Sequence, residues 1–241
     1  ISPKAAGCAG GFYHGFMEGY IGATGDTTGA GRVCDHIGEA VGEVSPSARL
    51  QCYHGIGRGA VETTIASTGS FGNRYAFIES ALALCEQASG GVDERYRCVS
   101  GVYNGIANFY INSAYGLSVE KENPLLLCAT QKDIYKEACY GNMNSVAFWS
   151  ADNNFTNAAV SVLALPDSNH RARALWYLAS LYATEHLSDP SYETVVRECH
   201  QLPVQFHGDC IRGFAEGLLE HGSPGIEYKQ MLTFCREPSL V

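Results

Sequence analysis

Cys98-Val99-Ser100-Gly101-Val102-Tyr103-Asn104-Gly105 is the stretch whose reading decides the fold, because its pattern returns along the chain. Cys52-Tyr53-His54-Gly55-Ile56-Gly57-Arg58-Gly59 and Cys210-Ile211-Arg212-Gly213-Phe214-Ala215-Glu216-Gly217 repeat it, each with a cysteine three residues ahead of the first of two glycines four apart. Tyr13-His14-Gly15-Phe16-Met17-Glu18-Gly19 is a fourth copy, and a degenerate fifth begins at Cys139, with Asn142 in the first glycine position. A sixth, lacking both Cys and Gly, is placed at Arg171 to Leu178, with Ala174 and Leu178 where the glycines stood. The anchors 15, 55, 101, 142, 174 and 213 are separated by 40, 46, 41, 32 and 39 residues, the length of a two-helix repeat.

Each glycine-bearing segment continues into an apolar, helix-compatible stretch such as Gly101 to Tyr110, here called an inner helix. Two glycines cost a helix roughly 1 kcal/mol each, so close approach of a neighbouring backbone must offset them. The candidate packing residues are Gly15, Gly19, Gly55, Gly59, Gly101, Gly105, Gly213 and Gly217. The alternating segments, the outer helices, end in the other cysteines and show the helical period. Val33, Ile37, Ala40 and Val41 share one face; so do Ile78, Ala81, Leu82 and Cys85, and finally Tyr228, Met231, Leu232 and Cys235. Gly22 to Gly31, Ala66 to Gly72, Ser188 to Pro190 and Gly222 to Gly225 read as turns.

Ten cysteines without a single Cys-x-x-Cys favour oxidation over metal or redox chemistry. An outer helix carries one near its end and the next inner helix one near its start, which pairs Cys34 with Cys52, Cys85 with Cys98, Cys128 with Cys139, and Cys199 with Cys210. Facing residues near the turn of an antiparallel hairpin come within the ~5.5 Å that a disulfide requires. The hairpin from Phe155 to Leu181 has no cysteine and relies on apolar packing, so it is expected to be the softest. The expected fold is all-α, a single domain over 1–241 made of about six stapled hairpins, as an open α-solenoid or a closed α/α toroid.

This pattern resembles the secreted, cysteine-rich α/α-repeat proteins of the Sel1-like group, and the resemblance implies hairpins of nearly 40 residues each closed by a disulfide. The glycine pair after the second cysteine has no counterpart in that group's consensus. The His-Gly elements faintly resemble the inner helices of α/α-toroid enzymes such as lanthionine cyclases, whose metal site has no match in this sequence.

Composition excludes several functions. Of 241 residues 46% are apolar and 17% charged, as in a folded protein, and the formal charge of −9 with no basic cluster argues against nucleic acid and anionic membranes as partners. No apolar run is long enough for a transmembrane helix, and no signal peptide is seen; a chain starting at Ile1 fits a leader already removed. With the cysteines, this points to a secreted protein.

Chemistry-bearing candidates are few. His14 and His54 hold equivalent positions, with Glu18 and Arg58 one turn on, and read as repeat consensus whose imidazoles satisfy a neighbouring backbone. His200, His207, Asp209 and His221 match no metal-ligand spacing, and Gly55 to Gly59 lacks the Lys-Ser or Lys-Thr of a phosphate loop. Tyr13, Tyr20, Tyr53, Tyr103, Tyr110, Tyr140, Tyr177 and Tyr182 read as packing residues, with a carbohydrate- or peptide-binding face as the alternative. Asn154-Phe155-Thr156 is the one glycosylation sequon. No catalytic residue, metal or cofactor is expected.

The ends supply the functional expectation. The first element, Phe12 to Ile21, is an inner helix without an outer one, and the last, Ile226 to Arg236, an outer helix without an inner one. These halves meet within one chain, closing a toroid sealed by Cys8-Cys235, or between chains, giving a head-to-tail homopolymer. The favoured expectation is an extracellular structural filament; the alternatives are a secreted binding module and a toroidal enzyme.

Overall fold

The computed structural model describes residues 11–43, 45–68, 77–120, 123–189, 191–222 and 226–237. Their regular structure is α-helix with short 3-10 turns, and no strand occurs among the described residues. By its internal contacts the chain divides into two compact units, Ile1–Val119 and Glu120–Val241.

The first unit holds α1 (Gly11–Thr24), α2 (Thr27–Val41), α3 (Ala48–Thr68), α4 (Ile78–Ala88) and α5 (Val92–Ile111). The inner helices α1, α3 and α5 lie side by side in that order, with α2 packed on α3, and α4 on α3 and α5. The second holds α6 (Leu126–Ala129), α7 (Asp133–Ser150), α8 (Phe155–Leu163), α9 (Ser168–Tyr182), α10 (Glu193–Gln201), α11 (His207–His221) and α12 (Glu227–Cys235). Here α7, α9 and α11 are the inner helices; α6 packs on α7, α8 on α7 and α9, and both α10 and α12 on α11.

Four disulfides staple these hairpins. Cys34–Cys52, Cys85–Cys98, Cys128–Cys139 and Cys199–Cys210 have Cα separations of 5.4, 5.6, 5.4 and 5.7 Å. Each closes a loop of 11 to 18 residues, and in the chain-entropy account such a loop is worth about 3 kcal/mol. Among the described residues Cys235 is the free cysteine, exposed, with its Sγ 3.4 Å from Met231 Sδ. Cys8 lies outside the described residues, and with it the expected Cys8–Cys235 bridge.

What holds the inner helices together is the approach of one backbone to the next. A Cβ on Gly55 would sit 2.8 Å from the His14 carbonyl oxygen, and one on Gly59 2.8 Å from Ile21 Cβ. Gly101 receives the His54 carbonyl, Gly213 that of Trp176 and Gly217 that of Ser180. Gly57 turns the other way and meets the Cys98 carbonyl, so the run from Gly55 to Gly59 is a helix thinned on both sides rather than a loop. Gly105 packs more loosely, 3.7 Å from Val61 Cβ.

These contacts correct the register of the sixth copy. Trp176 and Ser180 present their backbones to α11 as His54 and Arg58 do to α5, so Tyr177 and Leu181, not Ala174 and Leu178, stand at the glycine positions. Ala174 stands where α3, α5, α7 and α11 carry the bridging cysteine, fully buried, which accounts for the missing staple. The thin residue has moved to the partner helix: a Cβ on Gly141 of α7 would touch the Tyr177 ring at 2.9 Å. The unstapled α8–α9 hairpin is held by Phe155, Ala158, Ala159, Val162, Leu175 and Leu178, all buried, and by Phe155 stacked on Tyr182 at 4.8 Å.

Two local readings change as well. Gly22 to Gly31 is largely helical, because α1 runs to Thr24 and Asp26 caps α2, its side chain accepting from the Gly29 amide at 2.7 Å. The turn shrinks to Gly25 and Asp26, with Gly25 at φ +65°. On α12, Tyr228, Leu232 and Cys235 are exposed, and Phe234 is the buried anchor, packed on Phe214 at 4.9 Å. The other expected turns lie partly outside the described residues.

The two kinds of glycine give opposite expectations. Gly101→Ala and Gly213→Ala force a methyl into a carbonyl and should destabilise the chain by about 1 to 3 kcal/mol. No described atom lies within 4 Å of a Cβ on Gly15, so Gly15→Ala should stabilise α1 by roughly 0.5 to 1 kcal/mol. Urea unfolding of the three variants, disulfides intact, checks both signs.

Candidate functional site

The densest polar arrangement in the first unit flanks its glycine stripe. Because α1 and α3 approach so closely, the residues just before their anchor glycines are forced together: the His14 and His54 rings stack with centroids 4.7 Å apart and planes inclined by 25°. His14 Nε2 lies 2.6 Å from Gln51 Oε1, one turn earlier on α3, and His54 hydrogen-bonds the side chain of Asn104 on α5. The imidazoles thus serve side chains, not the backbone of a neighbouring turn.

One turn on, a second row runs parallel. Arg58 donates from Nε to Glu18 Oε2 at 3.0 Å and from Nη1 to Asn104 Oδ1 at 2.9 Å, joining α1, α3 and α5. Glu62, on the next turn of α3, lies beside the Glu18 carboxyl and within hydrogen-bond reach of it. All six of Glu18, His14, Gln51, His54, Arg58 and Glu62 are half-buried.

Burial sets the protonation of the seam. It lowers His54 to about 3, helped by the neighbouring His14 and Arg58, against the opposing hydrogen bond of Asn104. Burial also lowers His14, partly offset by Gln51. Burial and then the Glu18 charge raise Glu62. At neutral pH the imidazoles are therefore uncharged, and each polar group is engaged by another across helices. The arrangement ties helices laterally and shows neither a nucleophile with its base nor an unengaged general acid.

His14, Glu18, His54 and Arg58, singled out in the sequence, are brought together; Gln51, Asn104 and Glu62 were missed. Asn104 was recoverable, since it stands three residues after Gly101 as Arg58 does after Gly55 and Glu18 after Gly15. The other cluster disperses. His200 and His207 rings are 5.0 Å apart, His207 engages the Leu202 carbonyl, Asp209 pairs with Arg212, and His221 lies 3.9 Å from Glu220. No group of three or more His, Cys, Asp or Glu able to hold a metal ion occurs among the described residues, and no described helix is long and apolar enough to cross a membrane.

Of the eight tyrosines singled out, Tyr13, Tyr53, Tyr103, Tyr110, Tyr140 and Tyr182 are buried and pack between helices. Tyr20 and Tyr177 are half-buried. Asn154 is exposed and caps α8, its Oδ1 accepting from the Asn157 amide at 2.9 Å; the side-chain nitrogen to which a glycan would attach is outside that bond.

A different feature of the inner helices carries more. In each, the residues three before, one after and five after the anchor face outward. In α3, α5, α7, α9 and α11 these are Cys52, Ile56, Ala60; Cys98, Val102, Ile106; Cys139, Met143, Ala147; Ala174, Leu178, Tyr182; and Cys210, Phe214, Leu218, none more than 8% exposed. In α1 they are Phe12, Phe16 and Tyr20, with Phe12 52% and Phe16 48% exposed. The three rings stack along the helix at 6.2 and 6.5 Å. The outer helices show the reverse at α12. Residues seven before, three before and at the cysteine are buried in α2 (Thr27, Gly31, Cys34), in α4 (Ile78, Leu82, Cys85) and at α10 (Tyr192, Val196, Cys199), but exposed at Tyr228, Leu232 and Cys235.

Compared with known proteins, the chain matches no family model, and no curated protein or solved structure is significantly similar to it.

The seam predicts a pH response. The unfolded chain protonates His54 near 6.5 whereas the folded chain resists until about 3, so stability is full above 6.5 and falls as pH drops through that window. The contribution of His54 to this slope should approach roughly 1.4 kcal/mol per pH unit, and His14, lowered for the same reason, adds to it. Guanidinium unfolding across this range checks it, and His54→Gln should flatten the slope.

Proposed function

We propose that the chain is a secreted structural protein, an α-solenoid that assembles head to tail with further copies of itself. The observation supporting this reading is the pair of uncovered rows: α1 exposes, at Phe12 and Phe16, the row that five other inner helices bury, and α12 exposes the row that α2, α4 and α10 bury. Both rows are exposed and apolar at Phe12, Phe16, Tyr228 and Leu232, and an exposed apolar row of this kind marks an interaction surface. Joining α12 of one copy to α1 of the next is a heterologous contact, which propagates into a filament or closes a ring. Four disulfides fit an oxidising compartment outside the cytosol, and an extracellular fibre draws its durability from such staples.

The test is sedimentation velocity of the intact chain over a wide concentration range, with negative-stain imaging of the most concentrated sample. Concentration-dependent multimers are expected, and Phe16→Glu, which alters an exposed residue, should return the chain to a 25.9 kDa monomer with unchanged thermal stability. A wild-type chain monomeric throughout defeats the reading. Non-reducing electrophoresis then shows whether Cys235 adds a covalent link: a ladder that collapses on reduction means that it does.

A further inference from the structure

The packing of inner helices within each unit has a direction, and its register identifies particular charges for a junction between copies. An inner helix presents its anchor positions to the one before it, as α3 does to α1, α5 to α3 and α11 to α9. To the helix after it, it presents the residues one before, three after and six after the anchor. In α1 those residues are His14, Glu18 and Ile21, in α3 His54, Arg58 and Val61, and in α9 Trp176, Ser180 and Ala183. The equivalents in α11 are Arg212, Glu216 and Leu219. Ile21, Val61 and Ala183 are fully buried, but Leu219 is 41% exposed, and Arg212 and Glu216 are exposed with it. The leading face of α11 is thus uncovered beside the uncovered row of α12, and no described atom lies within 4 Å of a Cβ on Gly15 or Gly19, the receiving face of α1 beside Phe12 and Phe16.

Resting on the head-to-tail reading, we infer that α11 of one copy continues the inner stack onto α1 of the next, and that the resulting junction gathers carboxylates which make assembly proton-dependent. In the first unit the residues three after the anchor meet within hydrogen-bond reach, Arg58 with Glu18 at 3.0 Å and with Asn104 at 2.9 Å. One step further in that row, Glu216 of one copy comes beside Glu18 of the next. Glu220 follows one turn later, at the position that Glu62 holds in α3.

The charged groups of α3, α1 and the arriving α11 then enter the balance. From α3 come Arg58, Glu62 and His54; from α1 itself His14; from the arriving α11 Glu216, Glu220 and Arg212, with His221 beside Glu220. Arg58 is already committed to Glu18 and Asn104, and Arg212 arrives in the histidine row, paired with Asp209. Four carboxylates therefore share a partly desolvated site with one guanidinium that is already engaged. Like charges in such a site cannot all stay ionised, so the junction takes up protons as it forms. The sign follows: the carboxyls hold protons more tightly in the assembled state than in the free chain, so assembly strengthens as pH falls through the carboxyl range and weakens towards neutrality.

The test is sedimentation velocity of the full chain at about pH 7.5 and about pH 5, either side of the range where such carboxyls titrate. Wild-type association is expected to rise by roughly tenfold or more at the lower pH. Glu216→Gln should raise association at the higher pH and flatten the dependence, while Glu39→Gln, an equal charge change on the exposed side of α2, should leave the wild-type response intact. If Glu216→Gln behaves like Glu39→Gln while Phe16→Glu still yields monomers, the register is wrong and head-to-tail assembly stands. If the wild type is monomeric at both pH values, both readings fall.

Discussion

The close passage of one inner helix backbone over the next is the constraint from which the rest follows. A carbonyl of the preceding helix occupies the space of a side chain at Gly101, Gly213 and Gly217, so these positions tolerate nothing larger. The helix loses roughly 1 kcal/mol of propensity per glycine, and tight packing along the stripe offsets it. The same spacing fixes the covalent geometry. A cysteine three residues before the anchor lies nearly one helical turn back, on the row facing the outer helix, where Cα separations of 5.4 to 5.7 Å suit a disulfide. Where the stripe is absent the rule survives inverted: Tyr177 fills the anchor position because Gly141 opposite it has given up its side chain.

What was legible in the sequence depended on how local the determining contact was. The four pairings spanned 11 to 18 residues within one hairpin, and spacing alone supplied them. The register of the sixth copy is hidden from the local sequence, because the small residue that permits close approach is not on α9 but 36 residues away, at Gly141 on α7. Gly22 to Gly31 looked like a turn by composition, but a single Asp26 cap and the packing of Gly31 against the Ala88 carbonyl carry the helix through it. On α12 the period found an apolar face correctly, yet a period cannot say which face a neighbour covers, and Phe234 does the anchoring instead.

The polar seam shows the same division between spacing and chemistry. Within each unit, residues beside the anchor positions are brought against the neighbouring inner helix, whatever they are. In the first unit this yields stacked neutral imidazoles and a carboxylate–guanidinium–amide row. In the second, the equivalent position holds Trp176, covered by the Arg173 guanidinium at 4.3 Å, while Arg173 also donates to Glu137 at 2.9 Å. The repeat therefore prescribes where side chains meet and leaves open what they do. That freedom is why the histidines were visible as a pattern while their partners Gln51 and Glu62, outside the repeated motif, were not.

α1 and the α11–α12 pair expose unlike surfaces, and the chemistry of these surfaces bears on the control of the proposed assembly. The rows that would close a hairpin, Phe12, Phe16 and Tyr20 on one side and Tyr228 and Leu232 on the other, are apolar and non-selective. Apolar rows alone would bring copies together in any alignment, because burial of such surface is not directional. The rows beside them are charged. Glu18 with Glu62 on one face and Glu216 with Glu220 on the other are of like sign, within a chain whose formal charge is already −9. In the head-to-tail assembly proposed above, repulsion there would oppose the hydrophobic gain and grade it, so that contact between copies would be set by a balance rather than by adhesion alone. The cost would fall on affinity at neutral pH, and the return would be an association that solution conditions adjust without altering the stapled hairpins themselves.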